Sequence, residues 1–383
     1  MSAARRMATC SQNRLVDAST TRSRSRSRVH GNCFASGSKS DYKVLEPAKG
    51  DRKRTETDAF RHIFGRGSST LREVLKLHGA EVRRPRVRQG VRPRDVRDHW
   101  PILRRQGPHC CPPLAHSATI KAKANLPIVF MQCGIHAREW ISHATCLYII
   151  DQLATRYEKD EEIRRLVSAY EWRIHPVVNP DGYDYTHTKD RYWRKTRSKS
   201  SASEECLGAD ANRNFETREF CKTFDGTLSS PDPCSLTYCG DSAFSEVETR
   251  AIRDAVMATR NRTEFFFDLH SYGTMWMFPY GYTDAPVPEY DQLLNISRRA
   301  AEAIEKVKGS VYRVGAMYQT IYPLSGCSSD WAYDKAGVKK SFAIELQPRN
   351  AVFDADFGFL HPSKDIVSTA TEAWEGIKAA VST

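Results

Sequence analysis

The 383 residues suffice for one large α/β domain or two smaller ones, with a sizeable core in either case. The formal net charge of +12 is unevenly placed: residues 1–126 hold 28 Lys and Arg against 10 Asp and Glu, and the remainder holds 30 against 36. An argument from basicity to nucleic acid therefore applies to the first third alone. No apolar run reaches the roughly 18 residues of a membrane span.

Residues 1–126 read as a disordered basic arm. Thr21–Arg28 is an alternating Arg/Ser tract with nothing to bury, and Arg52–Arg54 and Arg83–Arg97 add further basic clusters. The N-terminus lacks the apolar stretch of about 7–15 residues found in a secretory leader. Other features point outside the cell. Two acceptor sequons occur, Asn261-Arg262-Thr263 and Asn295-Ile296-Ser297, and six of the eleven cysteines cluster between Cys133 and Cys239.

From Pro127 the texture changes. Ile128–Ile135 predicts a buried strand and Trp140–Tyr157 a helix. Glu171–Val178 predicts a strand ending in a turn at Asn179-Pro180-Asp181-Gly182. A helix over Ser245–Arg260 leads into a buried strand, Phe265–His270, then a helix over Glu289–Val307. Ser341–Leu346 predicts a further strand and Ile366–Ala379 a closing helix. Strands alternating with helices argue for a sheet covered on both faces.

His136-Ala137-Arg138-Glu139 directly follows the first of these strands, and imidazole and carboxylate are good zinc ligands. The spacing alone is weak, since a second copy occurs at His78 and Glu81 inside the arginine-rich arm. His270 carries more weight, because it ends an apolar strand and ligands gather at the carboxyl ends of strands in α/β sheets. Glu345 is the lone acid in the apolar run Ser341–Leu346, where an unpartnered carboxylate is expensive to bury.

Taken together, CGIHAREWIS, NPDGY, RYWRKTRS, GADANRNF, LHSYG, TIYPLSG and FAIEL resemble the metallocarboxypeptidase A/B family in order and approximate spacing, over Pro127–Thr383. The resemblance implies a three-layer α/β/α sandwich with a mixed, mostly parallel sheet, as a catalytic domain over 127–383. It implies a monomeric, secreted enzyme that removes single residues from the C-termini of peptides and proteins, with one Zn2+ per chain. Nucleic acid would be a partner only through the basic arm.

Carried over residue by residue, the family's His₂Glu ligand set falls on His136, Glu139 and His270. Glu345 matches the general base, which takes a proton from the attacking water and returns it to the leaving amine. Arg194 matches the residue that steadies the developing oxyanion. Asn212 and Arg213 match the clamp on the substrate's terminal carboxylate, and Tyr322 the mobile tyrosine that closes over the bound residue. Arg138, Ser271 and Tyr272 match the path of the incoming peptide. The family's specificity position falls on Ser329, two residues before Trp331, where an Asp would select Lys or Arg. With Gly281, Met277 and Met317 also uncharged, the resemblance favours apolar or aromatic terminal residues. Asp330 belongs to the family's usual Asp-Trp pair.

The same resemblance implies the disulfides Cys133–Cys146, Cys206–Cys234 and Cys221–Cys239, leaving Cys327 over, near the pocket and open to reaction. Upstream of Pro127 the pattern stops, and the strand pair that edges the family's sheet is not recognisable. Its loss would leave an inner strand exposed. After Glu345, the segment QPRNAVFDAD also departs from the family.

Overall fold

The computed structural model describes residues 117–223, 228–348 and 358–382. Residues 1–116, with the Arg/Ser tract and the second His-x-x-Glu, lie outside the described residues, as does 349–357, which holds most of QPRNAVFDAD.

Seven strands form one sheet: β1 (Ala118–Ile120), β2 (Ile128–Cys133), β3 (Glu171–His175), β4 (Thr263–Ser271), β5 (Met275–Phe278), β6 (Arg313–Ala316) and β7 (Lys340–Leu346), in the order β1-β3-β2-β4-β7-β5-β6. The pairs β3–β2, β2–β4, β4–β7 and β5–β6 run parallel, and β1–β3 and β5–β7 run antiparallel. The sheet is therefore mixed and mostly parallel, as expected. It begins earlier than residue 127: β1 pairs Ala118 with Ile174 and Ile120 with Trp172. The edge of β3 that the sequence reading left bare is thus covered by a strand of three residues, too short to offer a long template for another chain.

The helices are α1 (Trp140–Thr155), α2 (Glu161–Ala169), α3 (Pro180–Thr188), α4 (Val247–Met257), α5 (Tyr290–Lys308), α6 (Met317–Thr320), α7 (Ser328–Asp334) and α8 (Ile366–Val381). Asn179-Pro180-Asp181-Gly182 is not a strand-ending turn but the start of α3. Turn chemistry and helix starts share residue types: Asn179 caps by accepting the Gly182 N–H, and Pro180 occupies the first turn, where no N–H is needed. The sequence reading also missed α2, of nine residues, and β5 and β6, of four each.

Alternation along the strands builds two cores. Val129, Met131, Phe265, Phe267 and Leu269 face one way, packing with Ile149 of α1, Leu293 of α5 and Trp374 of α8. Ile128, Phe130 and Phe266 face the other way, toward Ile252 of α4 and Trp331 of α7. Both faces of the sheet are covered, which completes three layers. The expected disulfides Cys133–Cys146, Cys206–Cys234 and Cys221–Cys239 are all present. The first ties the end of β2 to α1, beside the candidate site.

Candidate metal centre and active site

The site lies past the carboxyl ends of β2, β4 and β7. Gly134 takes the chain off β2 at φ +67°, and a Cβ there would lie 1.8 Å from the His143 ring. Ser142 of α1 locks this corner: its Oγ accepts the Gly134 N–H at 3.0 Å and donates to the Leu269 carbonyl at 2.6 Å. The turn through His136 ends at Glu139, which immediately precedes α1.

On β4, Phe266, Asp268 and His270 share a face by strand alternation. The parallel register then sets Glu345 of β7 directly beside His270. Two distant segments are thereby brought to one place by sheet pairing alone.

The ligand atoms of His136, Glu139 and His270 all lie within 4.8 Å of one another, and all three residues are buried. His136 Nε2 meets Asp210 Oδ1 at 3.0 Å, and His270 Nε2 meets Asp268 Oδ2 at 2.8 Å. With each Nε2–H given to a carboxylate, each Nδ1 presents a lone pair. Those two Nδ1 atoms stand 3.1 Å apart, with Glu139 oxygens 2.7 Å from His136 Nδ1 and 3.1 Å from His270 Nδ1. Two lone pairs and a carboxylate turned on one another repel unless a cation sits among them. Two nitrogens, one carboxylate and a carboxylate behind each imidazole make a donor set that fits Zn2+.

The buried carboxylates also favour positive charge on the His270 ring itself, a demand that either a cation or a proton can meet. Burial alone would raise Glu139, but His136 and His270 outweigh it and hold the carboxyl well below its usual range. Burial would likewise lower His270, yet Asp268 and Glu139 hold it well above 6.5. The pocket is built to carry positive charge among buried anions.

Arg194 is buried and held by Asp210, donating from Nε at 3.0 Å and Nη2 at 2.8 Å, while its Nη1 lies 3.5 Å from Glu139. Arg213 is buried too. Its Nε donates to the Leu228 carbonyl and its Nη1 to that of Asn212, which leaves Nη2 without a partner among the described residues. Gly326, at φ +77°, lets the next segment pass so close that a Cβ would lie 2.0 Å from the Arg213 carbonyl oxygen. That approach brings the Ser328 N–H to Asn212 Oδ1 at 2.9 Å and turns the Asn212 amide nitrogen toward His270, 3.1 Å from its Nε2. Tyr322 is half-buried, its ring centre 6.0 Å from the Arg213 guanidinium carbon.

Glu345 keeps one buried carboxylate oxygen that has no partner among the described residues, and burial pushes its carboxyl up to about 8 against the pull of His270. The Ser271 N–H donates to Glu139 at 3.2 Å. Tyr272 packs edge-on against Phe359, and Arg138 lies over the same ring at 4.2 Å.

Ser329 is buried beside Cys327, which itself packs with Met275, Met277, Met317, Leu324 and Ala343. Both Asp330 oxygens accept the Gly281 N–H, at 3.1 and 2.9 Å, and burial pushes this carboxyl up to about 7. Cys327 does not meet the expectation of reactivity: it is fully buried, and burial raises its thiol well above the usual range.

The sequence reading missed Asp210 and Asp268. Asp210 joins three parts of the site, through His136, the Arg194 guanidinium and the Asn212 N–H at 2.9 Å. Asp268 accepts from both His270 and the Ser328 hydroxyl. A signal was available for Asp268: it stands in an apolar strand as Glu345 does, so the same cost of burial applies.

A family model for zinc carboxypeptidases matches residues 102–376. Carboxypeptidase A4 of Mus musculus is 42% identical over 252 residues, 66% of this chain and 57% of the relative. The chain thus spans little more than half the length of that protein. The zinc carboxypeptidase of Simulium vittatum is 41% identical over 258 residues, 67% of this chain and 81% of the relative. Among solved structures, bovine thrombin-activatable fibrinolysis inhibitor in complex with tick carboxypeptidase inhibitor is similar at TM-score 0.63 and 34% identity, covering 69% of this chain and 83% of its own. The chain belongs to the zinc carboxypeptidase family.

Proposed function

We propose that this protein is a zinc-dependent carboxypeptidase that hydrolyses the last peptide bond of peptides and proteins, with a preference for apolar or aromatic terminal residues. The observation that carries the reading is the juxtaposition of Glu345 with the His136, Glu139 and His270 cluster across the β4–β7 register. Zn2+ held by those three residues supplies Lewis-acid chemistry at the scissile carbonyl.

The protein's own groups supply the rest. Arg213 Nη2 and the Asn212 amide take the substrate's terminal carboxylate, which excludes chains lacking a free end. Tyr322 closes over the bound residue. Glu345 accepts a proton from the attacking water and delivers it to the departing amine nitrogen, a role open to the carboxylate oxygen that has no partner among the described residues. Arg194, immobilised by Asp210, presents positive charge to the oxygen that becomes anionic. Arg138, Ser271 and Tyr272 line the approach.

The preference rests on the apolar cluster of Met277, Met317 and Leu324 and on the uncharged Ser329 beside Cys327 of that cluster, with the Asp330 carboxyl turned onto the Gly281 N–H. Three disulfides support a secreted protein, and we place the protein outside the cell as a monomer.

The test is incubation of the zinc-loaded full chain with peptides ending in Phe, Leu, Lys and Glu, with and without a chelator. Chelator-sensitive release of single terminal residues, fastest for Phe or Leu, is expected. Fastest release of Lys would overturn the preference, and no release from any peptide by protein holding one zinc per chain would overturn the activity.

A further inference from the structure

We propose that Asn261 is an N-glycan attachment site and that the glycan stands on the end of the molecule remote from the catalytic cleft. The inference rests on the secreted reading above, because the sugar is transferred only in that pathway. Asn261-Arg262-Thr263 meets the acceptor pattern, and the fold places it in the exposed turn between α4 and β4. Asn261 itself is exposed, with no hydrogen bond among the described residues, whereas the residues after it anchor the turn. Arg262 donates to the Leu126 carbonyl at 2.7 Å and to Glu171 at 3.2 Å, and Thr263 Oγ1 donates to the Thr259 carbonyl at 3.0 Å. The acceptor side chain thus projects from a rigid corner and carries no packing that a glycan would disturb.

The second sequon offers a contrast. Asn295 is also exposed, and its Ser297, like Thr263, is buried and donates to the carbonyl four residues back, but Asn295 lies inside α5 rather than in a turn. A helical segment does not present its acceptor as a turn does. Asn261 is therefore the sequon assigned.

Position follows from strand geometry. β4 carries the chain from Thr263 to His270, a span of roughly 23 Å at about 3.3 Å per residue. Asn261 precedes the start of that strand and His270 is near its finish, so the glycan and the metal centre occupy opposite ends of the sheet. In the transfer, Asn261 Nδ2 bonds to the anomeric carbon of a lipid-diphosphate-linked oligosaccharide. The bond from that carbon to the phosphate oxygen breaks, the lipid diphosphate leaves, and an amide proton passes to base.

The experiment uses the full chain behind a cleavable leader, translated with microsomes and secreted from eukaryotic cells, so that entry into the pathway is imposed. Peptide-N-glycosidase is then applied, and residue 261 is read by mass spectrometry. Conversion of residue 261 from Asn to Asp is expected, with loss of the corresponding mobility step in Asn261→Gln and in Thr263→Val but not in Asn295→Gln. Hydrolysis by Asn261→Gln should stay within about twofold of the parent, as for an exposed position remote from the site. A disulfide-intact, secreted protein whose residue 261 remains Asn would overturn the assignment, as would a mobility step lost only in Asn295→Gln. Failure of the carboxypeptidase reading shows separately, as absence of peptide hydrolysis in both forms.

Discussion

The two faces of strand β4 differ in what they bury near its carboxyl end. Phe265, Phe267 and Leu269 point into an apolar layer under α1, α5 and α8, where burial itself is stabilising. Asp268 and His270 point the opposite way, into a region where buried charge is tolerated only because each group meets an opposite one. One face is apolar along its length, whereas the other passes from the apolar Phe266 to a charge pattern held in place at Asp268 and His270. Changes on the two faces should therefore have separable consequences.

The sharpest separation concerns Glu345. Glu345→Gln keeps the shape of the site and removes the proton acceptor, so turnover should fall on the order of 10²–10⁴-fold. Zinc content and melting temperature should stay close to those of the parent. Near-normal turnover in this variant would show that another group handles the proton.

On the opposite face, Phe267→Ala removes a fully buried ring stacked between Phe265 and Phe342. A loss of about 3–5 kcal/mol in denaturant unfolding is expected. The rate per folded molecule should change little, and a selective loss of activity at unchanged stability would blur the distinction between the faces.

Asp210 lies between these extremes, since it touches no substrate yet orients His136, Arg194 and Asn212. Asp210→Asn should weaken zinc binding by roughly 10–100-fold in a competition titration. Unchanged affinity would mean that the imidazole is oriented by its own turn alone.

The smallest effect concerns pH. Burial lowers His175 from 6.5 to about 3, and the nearby Arg173 charge adds to the shift. Between those values the unfolded chain binds the proton and the folded chain does not, so stability is full above about 6.5 and declines as pH falls toward 3. His175→Phe, which keeps the stacking on Phe130, should show a smaller drop in melting temperature from pH 7 to pH 5 than the parent. Equal drops would locate the acid sensitivity elsewhere, for example at His143, which burial lowers to about 4.

Much of this protein was legible in sequence because its strongest signals are local. Apolar runs of six to eight residues marked β2, β4 and β7, and long stretches with a helical look marked α1, α5 and α8. The proposed ligand and base positions come from motifs carried over from a family resemblance, and the structure brings those side chains together. Short elements were not legible: β5 and β6 have four residues each, β1 has three, and their pairing partners are distant in the chain. Their existence depends on an edge that only the assembled sheet provides.

The sequence by itself therefore determined the α/β class, the long elements and the residue types of the centre, because hydrophobic period and local motif are written within a few turns of chain. Tertiary structure alone decided that Glu345 stands beside His270, that Asp210 and Asp268 brace the two imidazoles, and that Arg213 keeps one donor free. It also decided that Asp330 is turned onto a backbone N–H and that Cys327 is sealed from solvent. Those outcomes depend on strand register and on contacts across as many as 134 residues of separation, as between His136 and His270. No local pattern of residues records such distances.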